Sequence, residues 1–132
     1  MSYLILPQES YKLMGMLFEV HNAMGPIYEE KHYVDAVEAI FKRERVNYIR
    51  EKRIKLHFKN LRVPNFIPDF IVWDCIILDI KAKRYIQLSD IRQMSRYIKE
   101  TGLPLGIIAN FKRKKLEYKR IINPNRNKNK WS

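Results

Sequence analysis

The chain has little cysteine and no long apolar run, and both shortages exclude classes of protein. Its one cysteine, Cys75, rules out an internal disulfide framework and a cysteine-rich zinc site. No stretch approaches the roughly 20 consecutive apolar residues that a transmembrane helix needs. The first residues include no basic segment ahead of an apolar one. We therefore expect no secretion signal, a cytoplasmic location and no membrane partner.

Acidic residues are scarce compared with basic ones, and the imbalance is concentrated near one end of the chain. The 132 residues carry a net charge of +12. Residues 1–111 hold 17 Lys and Arg against 13 Asp and Glu, a net charge of +4, whereas residues 112–132 hold 9 against 1, a net charge of +8. Excess positive charge favours a polyanionic partner, and nucleic acid is the usual one. A solvated tail that keeps the chain soluble is the alternative.

Length and composition predict one domain with its own core. The chain is 46% hydrophobic, and its length is typical of a single domain. We place that domain at residues 1–122. Residues 123–132 form a basic segment with almost no apolar residue, which we expect to be disordered.

The periodicity of apolar residues predicts an α/β fold in which helices flank a mixed central β-sheet. A period of 3.6 residues predicts helices, and a period of two or a short buried run predicts strands. The predicted helices cover residues 7–23, 27–45 and 87–101. The predicted strands cover residues 53–59, 66–73, 75–82, 105–111 and 116–122. Basic residues on the open face of the last strand predict that it lies at the sheet edge.

Two acids and a lysine interrupt two otherwise apolar predicted strands. Asp69 lies in the first of them, and Asp79 and Lys81 lie in the second. A charge in such a strand is costly unless it is paired or binds a metal. If the strands form a hairpin centred on Asp74, Asp69 lies opposite Asp79, and the alternation of side chains places Lys81 on the same face. The turn lacks the Gly or Asn that a tight hairpin prefers.

Two facing carboxylates would repel each other, and a divalent cation would remove that repulsion. Mg²⁺ is typically held by one or two carboxylates together with water and phosphate oxygens. The pattern therefore favours a hard divalent cation between Asp69 and Asp79. A structural ion pair between Asp79 and Lys81, or an Asp69 paired with another basic side chain, is the alternative.

The arrangement of Pro68 and Asp69, nine further residues, and then Asp79, Ile80 and Lys81 resembles the PD-(D/E)XK nuclease superfamily. The resemblance covers about residues 10–122. It implies a restriction-endonuclease-like core and hydrolysis of phosphodiester bonds.

Two further pairs of residues make the chain similar to the small GxxExxY group within that superfamily. Gln93 and Tyr97 are four residues apart on a predicted helix, so they are neighbours on one face. Glu30 and Tyr33 supply the Glu-x-x-Tyr pair. In one departure, Ile27 stands where the pattern has Gly, and the nearest Gly is displaced by two positions.

The resemblance implies a nuclease that acts on DNA with Mg²⁺ or Mn²⁺ as its cofactor. The implied metal ligands are Asp69, Asp79, the carbonyl of Ile80, and Glu30. The metal would polarise the phosphoryl oxygen and acidify its bound water. Lys81 would orient that water and stabilise charge on the phosphate.

The helix after Lys81 is expected to complete the site. Gln93 would fix a water or a phosphate, and Tyr97 would bind phosphate or an active-site carboxylate. The implied catalytic set is Asp69, Asp79, Lys81, Glu30, Gln93 and Tyr97. We expect backbone contacts to nucleic acid, which add affinity without sequence choice, from Arg96, Lys99, Lys112, Arg113, Lys114 and Lys115.

Several alternatives stay open at this point. Glu30 suits a helix N-terminus, where an acid complements the macrodipole, and Tyr33 and Tyr97 suit a core edge. Histidines such as His21 are more typical of packing or surface positions than of ligands. A non-catalytic nucleic-acid-binding module on the same fold, or an interaction protein with a structural metal, would share these features. The sequence leaves a homodimer open.

Overall fold

A computed structural model describes residues 6–54 and 67–125. Over these residues the chain forms helices and strands in the order helix, helix, three strands, helix, two strands. The elements are α1 (Pro7–Met24), α2 (Glu30–Arg43), β1 (Tyr48–Arg50), β2 (Phe70–Val72), β3 (Ile76–Lys81), α3 (Leu88–Thr101), β4 (Leu105–Asn110) and β5 (Glu117–Ile122). The predicted α/β class is confirmed.

The first two helices are bounded by residues with special backbone preferences. Pro7 occupies the first turn of α1, where its missing N–H is not needed. Gly25 ends that helix with a φ of 69°, a left-handed value that favours glycine. The second helix begins at Glu30 rather than at residue 27. The backbone of Glu29 is extended there, and its N–H donates to His32 Nδ1 at 3.2 Å.

The strands form one mixed sheet in the order β1-β2-β3-β4-β5. Only the β3–β4 pair is parallel among the four pairings of the described strands, and α3 connects those two strands. A parallel pair needs a crossover of this kind. The position of β5 at the sheet edge confirms the prediction for the last strand.

The β2–β3 hairpin has the register that the sequence predicts. Phe70 pairs with Leu78 and Val72 with Ile76, so the pairing is centred on Asp74. Trp73 and Asp74 both have positive φ, 52° and 54°. A type I′ turn requires these values at its two central residues, and here the turn forms without glycine.

The first strand differs from its prediction. Tyr48–Arg50 forms β1 beside β2, whereas Arg53 and Ile54 are not in a strand. The rest of the predicted strand over residues 53–59 lies outside the described residues. Three residues are too few to show alternation. Instead, Arg50 holds β1 to α2 through Glu38 at 2.6 Å, and Tyr48 packs on Phe41.

Two apolar clusters lie on the two faces of the sheet. The larger one joins α1 and α2 to one face, with Leu17, Phe41, Phe70, Leu78 and Ile80 among its members. The smaller one joins α3 to the other face, with members that include Ile77, Met94, Tyr97, Ile98 and Ile108. Side chains of β3 therefore alternate between two buried environments.

No helix among the described residues is long and apolar enough to cross a membrane.

Asn123, close to the last described residue, is buried, and its side chain donates a hydrogen bond to the Leu103 carbonyl at 3.0 Å. This residue therefore packs on the domain, although it begins the predicted disordered segment. Residues 126–132 lie outside the described range, and the domain limit at residue 122 stays a prediction.

Candidate active site

The carboxylates of Asp69 and Asp79 lie close together beside the start of β2. Asp79 Oδ1 accepts the Asp69 backbone N–H at 3.0 Å, and Asp69 Oδ2 accepts the Ile80 backbone N–H at 2.7 Å. Each acid is therefore fixed by the backbone of the other strand. Asp79 is only 4% exposed. The predicted juxtaposition of the two acids is present in the structure.

Burial makes both acids reluctant to ionise. It raises the pKa of Asp69 to about 7, and the neighbouring Asp79 charge adds to that rise. It also raises the pKa of Asp79, although the ammonium of Lys81 opposes the effect. A buried and a half-buried carboxylate, close together and both with raised pKa values, indicate a candidate functional site.

Lys81 projects from the same face of β3 as Asp79. Its Nζ lies 3.8 Å from Asp79 Oδ2 and 3.4 Å from Gln93 Oε1. It also lies 4.0 Å from Asp90 Oδ1. The predicted grouping of Asp69, Asp79 and Lys81 is therefore observed, with Gln93 beside the lysine.

Tyr97 sits one turn after Gln93 on α3 and is buried. Burial raises the pKa of its hydroxyl, and the charges of Asp79 and Asp69 raise that pKa further. The hydroxyl thus lies within electrostatic reach of both acids. Arg96 acts in the opposite direction on the same pKa, so its guanidinium is also near. The structure brings Gln93 and Tyr97 to the acid pair, while their catalytic roles stay predictions.

Glu30 and Tyr33 occupy different environments, although both lie in the first turn of α2. Glu30 is exposed, yet its charge contributes to the raised pKa of both Asp69 and Asp79. It is therefore near enough to act on the pair electrostatically. Tyr33 is fully buried and stacks on Phe111 with ring centroids 4.8 Å apart.

The Tyr33 hydroxyl holds the segment between α1 and α2. It donates to the Gly25 carbonyl and accepts the Tyr28 backbone N–H at 3.2 Å. This explains the Glu-x-x-Tyr spacing in physical terms, because the tyrosine fixes the segment from which Glu30 follows. Ile27, the departure from the family pattern, is exposed within that segment.

Sequence reasoning assigned no role in the site to two buried polar residues next to it. Asn110, at the end of β4, accepts the Lys83 N–H at 3.0 Å and donates to the Lys83 carbonyl at 2.9 Å. Asp90 accepts the Gln87 N–H at 2.8 Å and pairs with Lys83 at 2.9 Å. The spacing of Gln87 and Asp90 at a helix start is a capping signal that could have identified the latter.

Asp90 ionises readily in spite of being mostly buried. Burial tends to raise the pKa of its carboxyl, but the Gln87 N–H and the Lys83 ammonium outweigh that effect and lower the pKa overall. Asp90 is therefore a negative charge close to Lys81, in addition to that of Asp79.

The basic residues predicted to contact nucleic acid lie on α3 and after β4, and Lys99 among them lies away from the site, beside Gly102 and Asn123 at the opposite end of the sheet. Arg96 and Lys99 are exposed on α3. The other four are exposed in the segment after β4. They are Lys112, Arg113, Lys114 and Lys115. The last residue of β4, Asn110, pairs with Lys81 in the sheet register.

The basic segment after β4 is anchored to the domain. His21 Nε2 donates to the Arg113 carbonyl at 2.8 Å, and Asn110 Oδ1 accepts the Lys112 N–H at 3.3 Å. His21 is thus a buried packing residue. The anchoring gives the four basic side chains a defined place at the same end of the sheet as Lys81.

The acid pair fits a hard divalent cation by the chemistry of its donors. One oxygen of each carboxylate accepts a backbone N–H. The second oxygens, Asp69 Oδ1 and Asp79 Oδ2, have no backbone donor among the described residues. Carboxylate oxygens are the ligands that Mg²⁺ and Mn²⁺ prefer. Within residues 6–54 and 67–125, no three His, Cys, Asp or Glu side chains are grouped closely enough to hold a metal. Ligation by Glu30 and by the Ile80 carbonyl stays a prediction.

Comparison with protein families gives a match over most of the chain. A family model described as the PD-(D/E)XK nuclease superfamily matches residues 7–121. Comparisons with curated proteins and with solved structures found no significant match. The closer similarity to the GxxExxY group stays a prediction.

Proposed function

The chain belongs to the PD-(D/E)XK nuclease superfamily, and from this we propose that it is a metal-dependent nuclease that hydrolyses phosphodiester bonds in DNA. The observation that carries the proposal is the meeting of Asp69 and Asp79 with Lys81, whose Nζ lies 3.8 Å from Asp79 Oδ2. The cofactor class we propose is Mg²⁺ or Mn²⁺.

The two acids would hold the metal. When bound, the cation supplies positive charge to the phosphate and acidifies the attacking water. The backbone N–H groups of Asp69 and Ile80 fix one oxygen of each carboxylate and so orient the other. Glu30 would add negative charge at the edge of the site. This arrangement is preorganised, because the acids need not move when the cation arrives.

Lys81 and α3 would act on the substrate. The Lys81 ammonium would stabilise charge that develops on the phosphate and would orient the attacking water. Gln93 Oε1 accepts a long hydrogen bond from the ammonium at 3.4 Å. Tyr97, with a raised pKa, stays protonated at neutral pH and so can donate a hydrogen bond to a phosphate or carboxylate oxygen.

Nucleic acid is supported as the substrate by the charge around the site. Arg96 and the exposed basic residues after β4 lie near a pair of acids that on their own would repel a phosphate backbone. Contacts from such residues to phosphates supply affinity that falls with added salt. We propose DNA rather than RNA from the family resemblance alone, and a cytoplasmic location stays a prediction.

The test is cleavage of plasmid, linear duplex and single-stranded DNA, each with and without Mg²⁺. The proposal predicts cleavage that needs the metal and that disappears in Asp79→Ala. Binding of DNA that weakens with salt, without cleavage under any metal, would instead indicate a non-catalytic binding module. RNA of the same sequences, run in parallel, tests the choice of sugar.

A further inference from the structure

Asp90 and Lys83 form an ion pair that the proposed reaction does not use. Asp90 is 7% exposed. Both of its carboxylate oxygens lie 2.9 Å from Lys83 Nζ, and Oδ2 also accepts the Gln87 N–H. Lys83 in turn is fixed through its backbone, since Asn110 bonds to both its N–H and its carbonyl. The pair therefore has little freedom to separate.

Lys81 lies between this ion pair and the acid pair. Its Nζ is 4.0 Å from Asp90 Oδ1 and 3.8 Å from Asp79 Oδ2. The ammonium is thus almost equally far from two carboxylates, of which only Asp79 belongs to the proposed metal site. Neither distance is that of a close hydrogen bond, so a modest change in charge would decide which acid the lysine approaches.

Lys83 supplies that difference in charge. While it pairs with Asp90, the buried carboxylate is compensated and attracts Lys81 only weakly. Without Lys83, Asp90 would be a buried charge without its closest cation, and such a charge is costly. Among the described residues, Lys81 is the other cation within 4.0 Å of Asp90. The flexible lysine side chain would then close that distance.

We propose that Lys83 is a positioning residue: by neutralising Asp90 it keeps the Lys81 ammonium beside Asp79. The kinetic consequence rests on the proposed nuclease function, whereas the consequence for metal binding rests only on the part of that proposal in which Asp69 and Asp79 hold a cation. Movement of Lys81 toward Asp90 would misplace it for catalysis. It would also remove a positive charge from Asp79 Oδ2, and so would strengthen binding of a cation there.

The experiment is a double-mutant cycle with Lys83→Met and Asp90→Asn, read out by kcat and by Mn²⁺ affinity from calorimetry. Lys83→Met should lower kcat by about 10- to 100-fold, the loss typical of a displacement near 1 Å, while Mn²⁺ binds more tightly. Asn at position 90 keeps an acceptor for the Gln87 N–H but lacks the charge. The double variant should therefore return both quantities to near the wild-type values.

Two control variants separate this role from general effects. Arg84→Met removes a positive charge from the same segment at an exposed position, and it should leave kcat unchanged. Lys83→Arg keeps a cation against Asp90, so it should resemble wild type in both measurements. If Lys83→Met does not fold, Lys83→Arg still tests the proposal, because an arginine variant that differs from wild type in kcat or in Mn²⁺ affinity would contradict it.

The outcomes are distinguishable. A double variant that stays as slow as Lys83→Met, or a Lys83→Met that changes neither quantity, overturns the proposal, as does a Lys83→Arg that behaves unlike wild type. If the wild type cleaves no nucleic acid, the proposed function fails. Tighter Mn²⁺ binding in Lys83→Met, reversed by Asp90→Asn, would then still support the positioning role.

Discussion

The two faces of β3 carry different kinds of residue although they share one backbone. Leu78 and Ile80 face α1 and α2 and are fully buried among apolar side chains. Asp79 and Lys81 face α3, and Asp79 is buried almost as deeply. Burying the first pair stabilises the fold, whereas burying the second costs free energy. Burial of the apolar face therefore offsets the free-energy cost of burying the charges on the polar face.

The same division continues in β4. Ile107 and Ala109 belong to the larger apolar cluster, whereas Asn110 bonds to Lys83 and Glu117 at the end of the strand. Substitutions on the polar face should thus mainly lower activity, and substitutions on the apolar face should mainly lower stability.

The largest effect is expected on activity, from the polar face. Lys81→Met should reduce kcat by at least about 10²- to 10³-fold, because it removes the ammonium proposed to stabilise charge on the phosphate. Its free energy of unfolding should fall modestly, because Asp79 loses the ammonium that offsets its buried charge but can take up a proton instead. Initial rates on a labelled DNA, beside thermal melts, check both statements.

Asp74→Asn is the matched control for the site acids, because Asp74 is an exposed acid in the turn of the same hairpin. Asn also tolerates the positive φ of that position. Activity in Asp74→Asn should equal that of wild type. A comparable loss there would mean that substitution in the hairpin, rather than loss of the site, lowers the rate.

The next effect is on stability, from the apolar face. Leu78→Ala should lower the free energy of unfolding by about 2–5 kcal/mol, because it leaves a cavity against α1 and α2. Urea titration measures this change. The kcat of the fraction that remains folded should be close to wild type. A large loss of kcat with unchanged stability would contradict the division between the faces.

A smaller effect is expected where α3 approaches the sheet. A Cβ at position 106 would lie 2.4 Å from Met94 Sδ and 3.0 Å from Ile98 Cδ1. Gly106→Ala should therefore cost about 1–3 kcal/mol by overpacking. Because α3 also carries Gln93, kcat should fall as well. If stability and kcat both match wild type, α3 packs less tightly against β4 than these distances indicate.

Removal of one buried acid should stabilise the metal-free protein. The pKa of Asp69 is raised from 3.8 to about 7, so the folded state binds more protons than the unfolded state between these values. Stability of the wild type should therefore fall as pH rises from about 4 to 7 and level off above that. Asp69→Asn lacks this dependence.

The rise in the pKa of Asp69 corresponds to about 4 kcal/mol at about 1.4 kcal/mol per pKa unit. Because Asp69 is only half-buried and solvent screens its charge, the expected gain for Asp69→Asn above pH 7 is about 1–3 kcal/mol. It should approach zero near pH 4. Chemical denaturation at several pH values, in the presence of a chelator, measures it. Added Mg²⁺ should stabilise the wild type alone. A variant that is less stable than wild type at pH 8 would show that the carboxylate is not destabilising there.

Local patterns predicted the parts of the fold and site that depend on short-range rules. The hairpin register follows from alternation about Asp74, and the sequence therefore brought Asp69 opposite Asp79. The spacing of Gln93 and Tyr97 likewise places both on one helix face. These relations need only the periods of a strand and a helix.

The periods of strands and helices could not predict the long-range contacts. The link from His21 to the Arg113 carbonyl joins residues 92 positions apart. The short strand β1 is defined by its partner β2 and by the ion pair of Arg50 with Glu38, not by its own pattern. Asp90 was missed for a related reason, because its part in the site depends on where the sheet places Lys81 and Lys83.

The most direct test of the account is titration of Mn²⁺ into the wild type, Asp69→Asn, Asp79→Asn and the Asp74→Asn control, followed by calorimetry at pH 8. We expect one cation per chain for the wild type and the control. We expect a loss of affinity of at least about tenfold, or about 1.4 kcal/mol, in each of the other two variants. Equal affinity in all four proteins would contradict the claim that Asp69 and Asp79 together hold the metal.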